Sequence, residues 1–223
     1  MNRWTLSLKS VRLHWRTHLA VTAGLTVAAI VLTGSLIVGD SVLHSLRQTA
    51  LQRIGATHFA LLGGERFFMA SLADRTTEAL NAPCAPVMHL NGTASHPETQ
   101  QRANAVQVLG VDARFWDLSA SGERPPNADG ALVNERLARQ LDLKDGDTIV
   151  LRIDRPSAIP KDALMSSEED GTVALRIAIA NSASIDTFGR FSLRADQASP
   201  YTVFVPLETL QETVDLPARA NLI

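Results

Sequence analysis

The stretch ALVNERLARQLDLKDGDTIVLRI, residues Ala131–Ile153, is the part of the sequence that most clearly specifies structure. Its first half predicts an amphipathic helix, because three apolar side chains fall on one helical face: Val133, Leu137 and Leu141. The charged side chains of Glu135, Arg136 and Arg139 fall on the solvent face. KDGD then predicts a tight turn in which Gly146 has a positive φ, and IVLRI predicts a strand rich in β-branched residues.

Strand-like and helix-like runs alternate on both sides of this stretch, which predicts an α+β fold. A further helix is predicted at MASLADRTTEAL (69–80). Five strands are predicted at HFALLG (58–63), PVMHLNGTASH (86–96), RANAVQVLGVD (102–112), TVALRIAIA (172–180) and YTVFVPL (201–207). A polar turn joins the second and third of these strands, whereas residues 155–171 form a polar loop that is too long for a tight hairpin.

One apolar window, LAVTAGLTVAAIVLTGSLIV (Leu19–Val38), contains no charged residue. About 20 residues at a rise of 1.5 Å give a helix of about 30 Å, which is the thickness of the hydrocarbon core of a bilayer. Threonine and serine hydroxyls are compatible with that core, because a helix lets them donate to its own carbonyls. Arg16 and Asp40 bracket the window at membrane spacing. The window therefore predicts a transmembrane helix.

A buried helix of a soluble protein and a cleaved signal peptide are the alternative interpretations of this window. A signal peptide has a shorter apolar region, about 7–15 residues, that ends in a small-x-small cleavage site. Here the candidate cleavage site, Thr33-x-Ser35, lies inside the window. The pattern therefore favours a membrane anchor over both alternatives.

The charges beside the window predict its orientation. No acidic residue precedes it, but four basic residues do: Arg3, Lys9, Arg12 and Arg16. The positive-inside rule therefore keeps the N-terminus cytoplasmic and sends the rest of the chain outside. We predict four parts: a cytoplasmic basic amphipathic segment (1–18), a transmembrane helix (19–38), a stalk helix (39–56) and an extracytoplasmic domain (57–223). A basic flank that only sets the orientation is the alternative for the first part.

The sequence predicts no catalytic, cofactor-binding or metal-binding residue and no cofactor. It has no glycine-rich phosphate loop. His14 and His18 are four residues apart, but two histidines are too few ligands for a metal site. Asp145 and Asp147 belong to the turn around Gly146 rather than to an acid–base pair. The net charge of −2, with dispersed basic residues, argues against a nucleic-acid partner. We expect that the protein is not an enzyme.

Three motifs occur in a characteristic order: QVLGVDARFW (107–116), the stretch 131–153, and YTVFVPLETLQETVDLPARANLI (201–223). Together with the basic start, the span and the stalk, this order resembles the N-terminal half of a MacB/FtsX-type ABC transporter permease. In that family, a strand ending in GVD plus an aromatic residue, a V-N/S-E-x-L-A helix–turn–strand and a late VPL-x-x-L recur in the same order. The resemblance covers nearly the whole chain, and the second motif is the most specific.

The resemblance implies a bacterial inner-membrane protein that crosses the membrane once in this chain, with residues 57–223 as a MacB-like periplasmic core domain. It implies a cytoplasmic ABC ATPase partner, contact with membrane lipid, and a homo- or heterodimer formed through permease halves. ATP hydrolysis by the partner would move the stalk and the periplasmic domain, which would act on a lipid, lipoprotein, peptide or small-molecule cargo.

This chain departs from the family in one respect. Family members carry three or more further spans after the periplasmic domain, and residues 57–223 contain none. We therefore expect either a fragment of a longer permease or a truncated gene product. The alternative function is a single-span, membrane-anchored extracytoplasmic binding or sensing module that works without an ATPase.

Overall fold

The structure is a computed structural model that describes residues 12–119, 121–126, 130–155, 171–194 and 198–223. Residues 1–11 of the predicted amphipathic segment, and most of the polar loop predicted at 155–171, lie outside the described residues. The chain divides into a first unit that ends at Thr49 and a second unit, Ala50–Ile223.

Helix α1 (Trp15–Ile54) runs without interruption through the predicted span and ends two residues before the end of the stalk predicted at 39–56. The hydroxyls of Thr22 and Thr26 donate to the carbonyl oxygens four residues earlier, each at 2.8 Å, so both polar groups are satisfied within the helix as expected. The helix ends just before Gly55, whose N–H donates to the carbonyl oxygen of Leu51 at 3.1 Å. A long apolar helix followed by a mixed domain confirms the predicted α+β class.

The second unit contains short helices and strands, and their bounds are as follows. The helices are α2 (Leu72–Leu80), α3 (Ala113–Asp117), α4 (Glu135–Leu141) and α5 (Leu207–Thr213). The strands are β1 (Phe68–Met69), β2 (Met88–Ser95), β3 (Arg102–Val111), β4 (Ala131–Asn134), β5 (Thr148–Asp154), β6 (Thr172–Ala183), β7 (Tyr201–Pro206) and β8 (Arg219–Ala220).

Strands β2 to β7 close into a barrel in the order β2–β3–β7–β4–β6–β5. β3 pairs in parallel with β7 and β4 in parallel with β6, whereas the other neighbours are antiparallel. The predicted hairpin over 86–112 is confirmed as β2–β3, in which Met88 pairs with Gly110. Alternation along a strand buries every second side chain, as in β5, where Ile149, Leu151 and Ile153 are fully buried.

Two hydrophobic clusters fill the second unit. The larger one combines inward-facing strand residues with the buried faces of α4 and α5, including Leu137, Leu141 and Leu210. The smaller one, which we call the aromatic cluster, is centred on five rings: Phe115, Trp116, Phe188, Phe191 and Phe204. Neighbouring ring centroids in it are 4.6–6.0 Å apart, in tilted or edge-to-face arrangements. Such pairs add stabilisation beyond the area that they bury.

The predicted helix over residues 131–143 is wrong in its first four residues. They form β4, which is buried along its whole length and pairs with β6 and β7. The helix begins after Asn134, whose Oδ1 accepts from the N–H of Leu137 at 3.0 Å and from that of Thr202 at 3.3 Å. Val133 is buried as predicted, but on a strand. A short apolar run that is buried on both faces has no periodicity that separates strand from helix.

The strand predicted at 58–63 is also wrong for most of its length. Only Leu62 forms a β-bridge, with Leu222. The other four strand predictions are confirmed as β2, β3, β6 and β7, and the helix predicted at 69–80 is confirmed over Leu72–Leu80. The turn prediction is confirmed as well, because Gly146 has a φ of +92°.

Candidate functional site

Helix α1 exposes apolar side chains along the whole predicted span. None of its 40 residues is buried, and the large apolar side chains between Leu19 and Val38 are 57–74% exposed. Leaving such a surface in water costs roughly 25 cal/mol per Å² relative to an apolar environment. In the part of the chain that the structure describes, α1 is the one helix that is long and apolar enough to cross a membrane.

After α1, the chain forms a lead-in segment, residues 55–64, that lies beside the return segment, residues 219–223. Leu61 and Ile223 exchange two backbone hydrogen bonds, at 2.9 and 3.2 Å. On its other side, the return segment pairs with Val87, just before β2. The return segment therefore lies between the lead-in segment and a barrel strand.

Asn221 joins these three pieces of chain and is 4% exposed. Its Oδ1 accepts from the N–H of His89 at 2.7 Å, and its Nδ2 donates to the carbonyl oxygens of His89 at 2.8 Å and Gly64 at 2.9 Å. Its backbone carbonyl accepts from the N–H of Gly63 at 2.7 Å. Both amide protons and the amide oxygen are thus paired, which a buried amide requires. We call this arrangement the Asn221 clamp.

The lead-in segment also contacts the aromatic end of the barrel. The N–H of Ala56 donates to the carbonyl oxygen of Leu118, just after α3, at 2.9 Å. Ala60 packs against the aromatic cluster. The segment that follows α1 is therefore held at both of its ends by the barrel and its flanking elements.

Arg114 connects α2 to the chain that leaves β3. Its guanidinium forms ion pairs with Asp74 at 2.5 Å and with Asp112 at 2.7 Å. Asp112 also caps α3, since its carboxylate accepts from the N–H of Arg114 at 3.0 Å. Burial opposes the charged form, but the hydrogen bonds and charges of Asp112 and Asp74 raise the pKa of Arg114 overall. Asp112 and Arg114 of the GVDAR sequence therefore have a structural role, because they cap α3 and connect it to α2.

The turn around Gly146 lies next to His96, a buried histidine at the end of β2. Nδ1 of His96 accepts from the N–H of Thr99 at 3.1 Å, and its Nε2 is 3.6 Å from Oδ2 of Asp147. The same carboxylate accepts from the N–H of Lys144 at 2.7 Å, which closes the turn. Among the described residues, no group of three or more His, Cys, Asp and Glu side chains is arranged to hold a metal ion.

Sequence reasoning missed the residues that tie distant parts of the chain together. Asn221 follows no recognisable motif, because its partners lie up to 157 positions away. Asn134 did carry a signal, since an Asn directly before a helical run is a common N-cap. Arg136 is exposed as predicted, but it also donates to the carbonyl oxygen of Ser199 and stacks over Tyr201 at 4.6 Å.

No protein-family model matches this chain, and no curated protein matches it. One solved structure to which it is similar is the periplasmic region of MacB from Actinobacillus actinomycetemcomitans, with a TM-score of 0.43 and 10% sequence identity. The alignment covers 77% of this chain and 75% of that chain.

Proposed function

We propose that this chain is part of an ABC transporter permease of the MacB/FtsX type, anchored in the bacterial inner membrane by α1. Its N-terminus is cytoplasmic, and residues 57–223 form a periplasmic domain. A partner ATPase in the cytoplasm moves that domain, which acts on a lipid, lipoprotein, peptide or small-molecule cargo. The three motifs of the sequence and the exposed apolar surface of α1 support this proposal.

The observation that carries the proposal is the pairing of the lead-in and return segments. Leu61 lies seven positions after the last residue of α1, and its backbone is hydrogen-bonded to that of Ile223. A polypeptide continued beyond Ile223 would leave the domain beside the segment by which it entered. This is the geometry needed by a domain inserted between two membrane spans.

The domain has a mechanical or recognition role in this proposal, not a catalytic one. The side chains of Asn221, Asn134 and Arg114 bind backbone groups or carboxylates of the same domain. These hydrogen bonds explain the burial of Asn221 and Asn134, and the ion pairs explain the position of Arg114. A domain with ends held together in this way transmits displacement as one body.

Purification of the full-length gene product from its native membrane in mild detergent tests the proposal. We expect an ABC ATPase to co-purify in stoichiometric amount and to hydrolyse ATP in a vanadate-sensitive manner. Reading the gene beyond the codon of Ile223 is the complementary test, and we expect further apolar spans there.

A purified protein without an ATPase, from a gene without further spans, would contradict the proposal and favour the anchored binding or sensing module. Topology is tested separately, with Ser182→Cys on β6 in a Cys84→Ala background. A membrane-impermeant thiol reagent should label this variant at the outer face of the inner membrane, and labelling only from the cytoplasmic side would exclude a periplasmic domain.

A further inference from the structure

The β2–β3 turn, residues 96–101, is held closed by its first residue. The backbone N–H of His96 donates to the carbonyl oxygen of Gln101 at 3.0 Å, and its carbonyl oxygen accepts from the N–H of Gln100 at 3.0 Å. Nδ1 of the His96 ring accepts from the N–H of Thr99 at 3.1 Å. His96 is 4% exposed, whereas the rest of the turn is exposed. One buried residue therefore anchors an exposed turn.

The turn also contains a strained backbone position. Gln100 has a φ of +56°, in the left-handed region that residues other than glycine seldom adopt. Such a conformation persists only where the surrounding structure holds it. The bond from Thr99 to the His96 ring is one of the three bonds that do so here. Loss of this bond should therefore allow the turn to relax.

The geometry determines the protonation state in which the His96 ring can hold the turn. Because the N–H of Thr99 donates to Nδ1, that nitrogen must carry a lone pair, and the neutral ring carries its proton on Nε2. A second proton would bind Nδ1 and face the N–H of Thr99, so that two donors would oppose each other. The charged ring therefore cannot keep the bond to Thr99.

Charged side chains of both signs lie near the ring. Nε2 is 3.6 Å from Oδ2 of Asp147, in the turn around Gly146. A cavity of about 400 Å³ lies between the two turns, and the charged side chains that line it with His96 are Glu98, Asp147 and Arg176. The two carboxylates favour a charged ring, whereas the guanidinium opposes it. A protonated ring thus has a counter-ion in place even after it releases Thr99.

We propose that His96 is an acid-sensitive latch on the β2–β3 turn. In its neutral form, the ring accepts the N–H of Thr99 and keeps the turn closed. Protonation removes that acceptor, the charged ring stays beside Asp147, and the turn opens while the barrel strands remain paired. The opened turn no longer forms a fixed wall of the cavity. This device goes beyond the proposed permease function, because it requires neither an ATPase nor a cargo.

Millisecond hydrogen exchange of the full-length chain in lipid nanodiscs tests the latch. Protection factors are compared at pH 7.5 and pH 5, which removes the intrinsic effect of pH on exchange. We expect protection of the amides in residues 98–101 to fall about fivefold in acid, as the loss of one hydrogen bond would cause. The amides of β5 should keep their protection at both pH values.

Two substitutions at position 96 separate the acceptor from the charge. His96→Asn places an amide oxygen near the position of Nδ1 but does not titrate, so the turn should stay protected at both pH values. His96→Leu offers no acceptor, so the turn should exchange rapidly at both. With His96 retained, Asp147→Asn should shift the midpoint of the transition to lower pH, because it removes a counter-ion. The exposed variant Arg176→Gln should shift it to higher pH.

Three results would overturn the proposal. One is protection of the turn that does not change with pH, and another is an equal loss of protection in His96→Asn. The third is an equal loss at the amides of β5, which would report unfolding of the barrel rather than opening of the turn. All of these measurements are made without ATP, so the latch and the proposed permease function can fail independently.

Discussion

The side chain of Asn221 pairs with the backbone of His89 as a neighbouring strand would. It accepts the N–H of His89 at 2.7 Å and donates to its carbonyl oxygen at 2.8 Å. The amide nitrogen of Asn221 also donates to the carbonyl oxygen of Gly64 at 2.9 Å. A single side chain thereby couples the return segment to both the lead-in segment and the barrel.

Replacing Asn221 by Ala should lower the free energy of unfolding by about 1–3 kcal/mol, because it leaves buried backbone groups unpaired. Hydrogen exchange should accelerate at the amides of His89 and Gly63 before it does so in the rest of the barrel. Thr172→Ala, at an exposed position of β6, is the control. Unchanged protection at His89 would show that the clamp does not hold the two segments together.

Leu137 is fully buried at the centre of the larger core cluster. Leu137→Ala should destabilise the domain by about 2–5 kcal/mol, the usual cost of a cavity at a buried leucine. Arg136→Ala, one position earlier, removes a cation–π contact with Tyr201 and should cost only about 0.5–1 kcal/mol. Urea unfolding followed by tryptophan fluorescence compares the two variants. Equal losses would mean that α4 does not bury Leu137 in the core.

Substitutions at Gly146 and Gly63 should destabilise the domain for different physical reasons. Gly146 has a φ of +92°, and a Cβ there would meet no atom within 4 Å. Gly146→Val should therefore cost about 1–2 kcal/mol through backbone strain alone. At Gly63, a Cβ would lie 2.4 Å from the carbonyl oxygen of Arg66, so even Gly63→Ala must displace the turn. Thermal melts of Gly63→Ala, Gly146→Ala and Gly146→Val measure the loss of stability in each variant. Limited proteolysis separates the two effects, because only the substitution of Gly63 should expose the lead-in segment to cleavage.

His89 should make the domain less stable in mild acid. Burial, and secondly the positive charge of Arg194, lower the pKa of His89 below its ordinary value, which is about 6.5. The unfolded chain then binds a proton more readily than the folded one, so the free energy of unfolding falls as the pH drops below about 6.5. The fall levels off below the folded-state pKa. Urea melts from pH 7.5 to 5 should show a shallower decline for His89→Gln than for the control His58→Gln.

Charge within the span should prevent anchoring. A basic residue at the centre of a membrane helix costs about 2.5–3.5 kcal/mol on insertion scales. Ala28→Arg should therefore reduce the fraction of protein that resists carbonate extraction from membranes, whereas Thr172→Arg, at an exposed position of β6, should leave that fraction unchanged. Equal extraction of the two variants would contradict a membrane role for α1.

Local patterns predicted the elements that depend on neighbours in the sequence. The apolar window predicted the helix through Leu19–Val38, alternation predicted the β2–β3 hairpin, and KDGD predicted the positive φ of Gly146. They failed at β4, where the side chains are buried on both faces and their spacing is uninformative. They failed also at the lead-in segment, where the predicted strand over 58–63 pairs with the return segment only from Leu61 to Gly63.

By itself, the sequence determined a long apolar helix, an α+β domain and the helix–turn–strand around Gly146, because each depends on side chains only a few positions apart. Only the tertiary structure decided that the strands close into a barrel. Closure requires parallel pairs such as Val108 with Val203, which are far apart along the chain. It decided the role of Asn221 for the same reason, since His89 lies 132 positions away. Contacts at that distance leave no periodic trace in the sequence, and they exist only once the chain has folded.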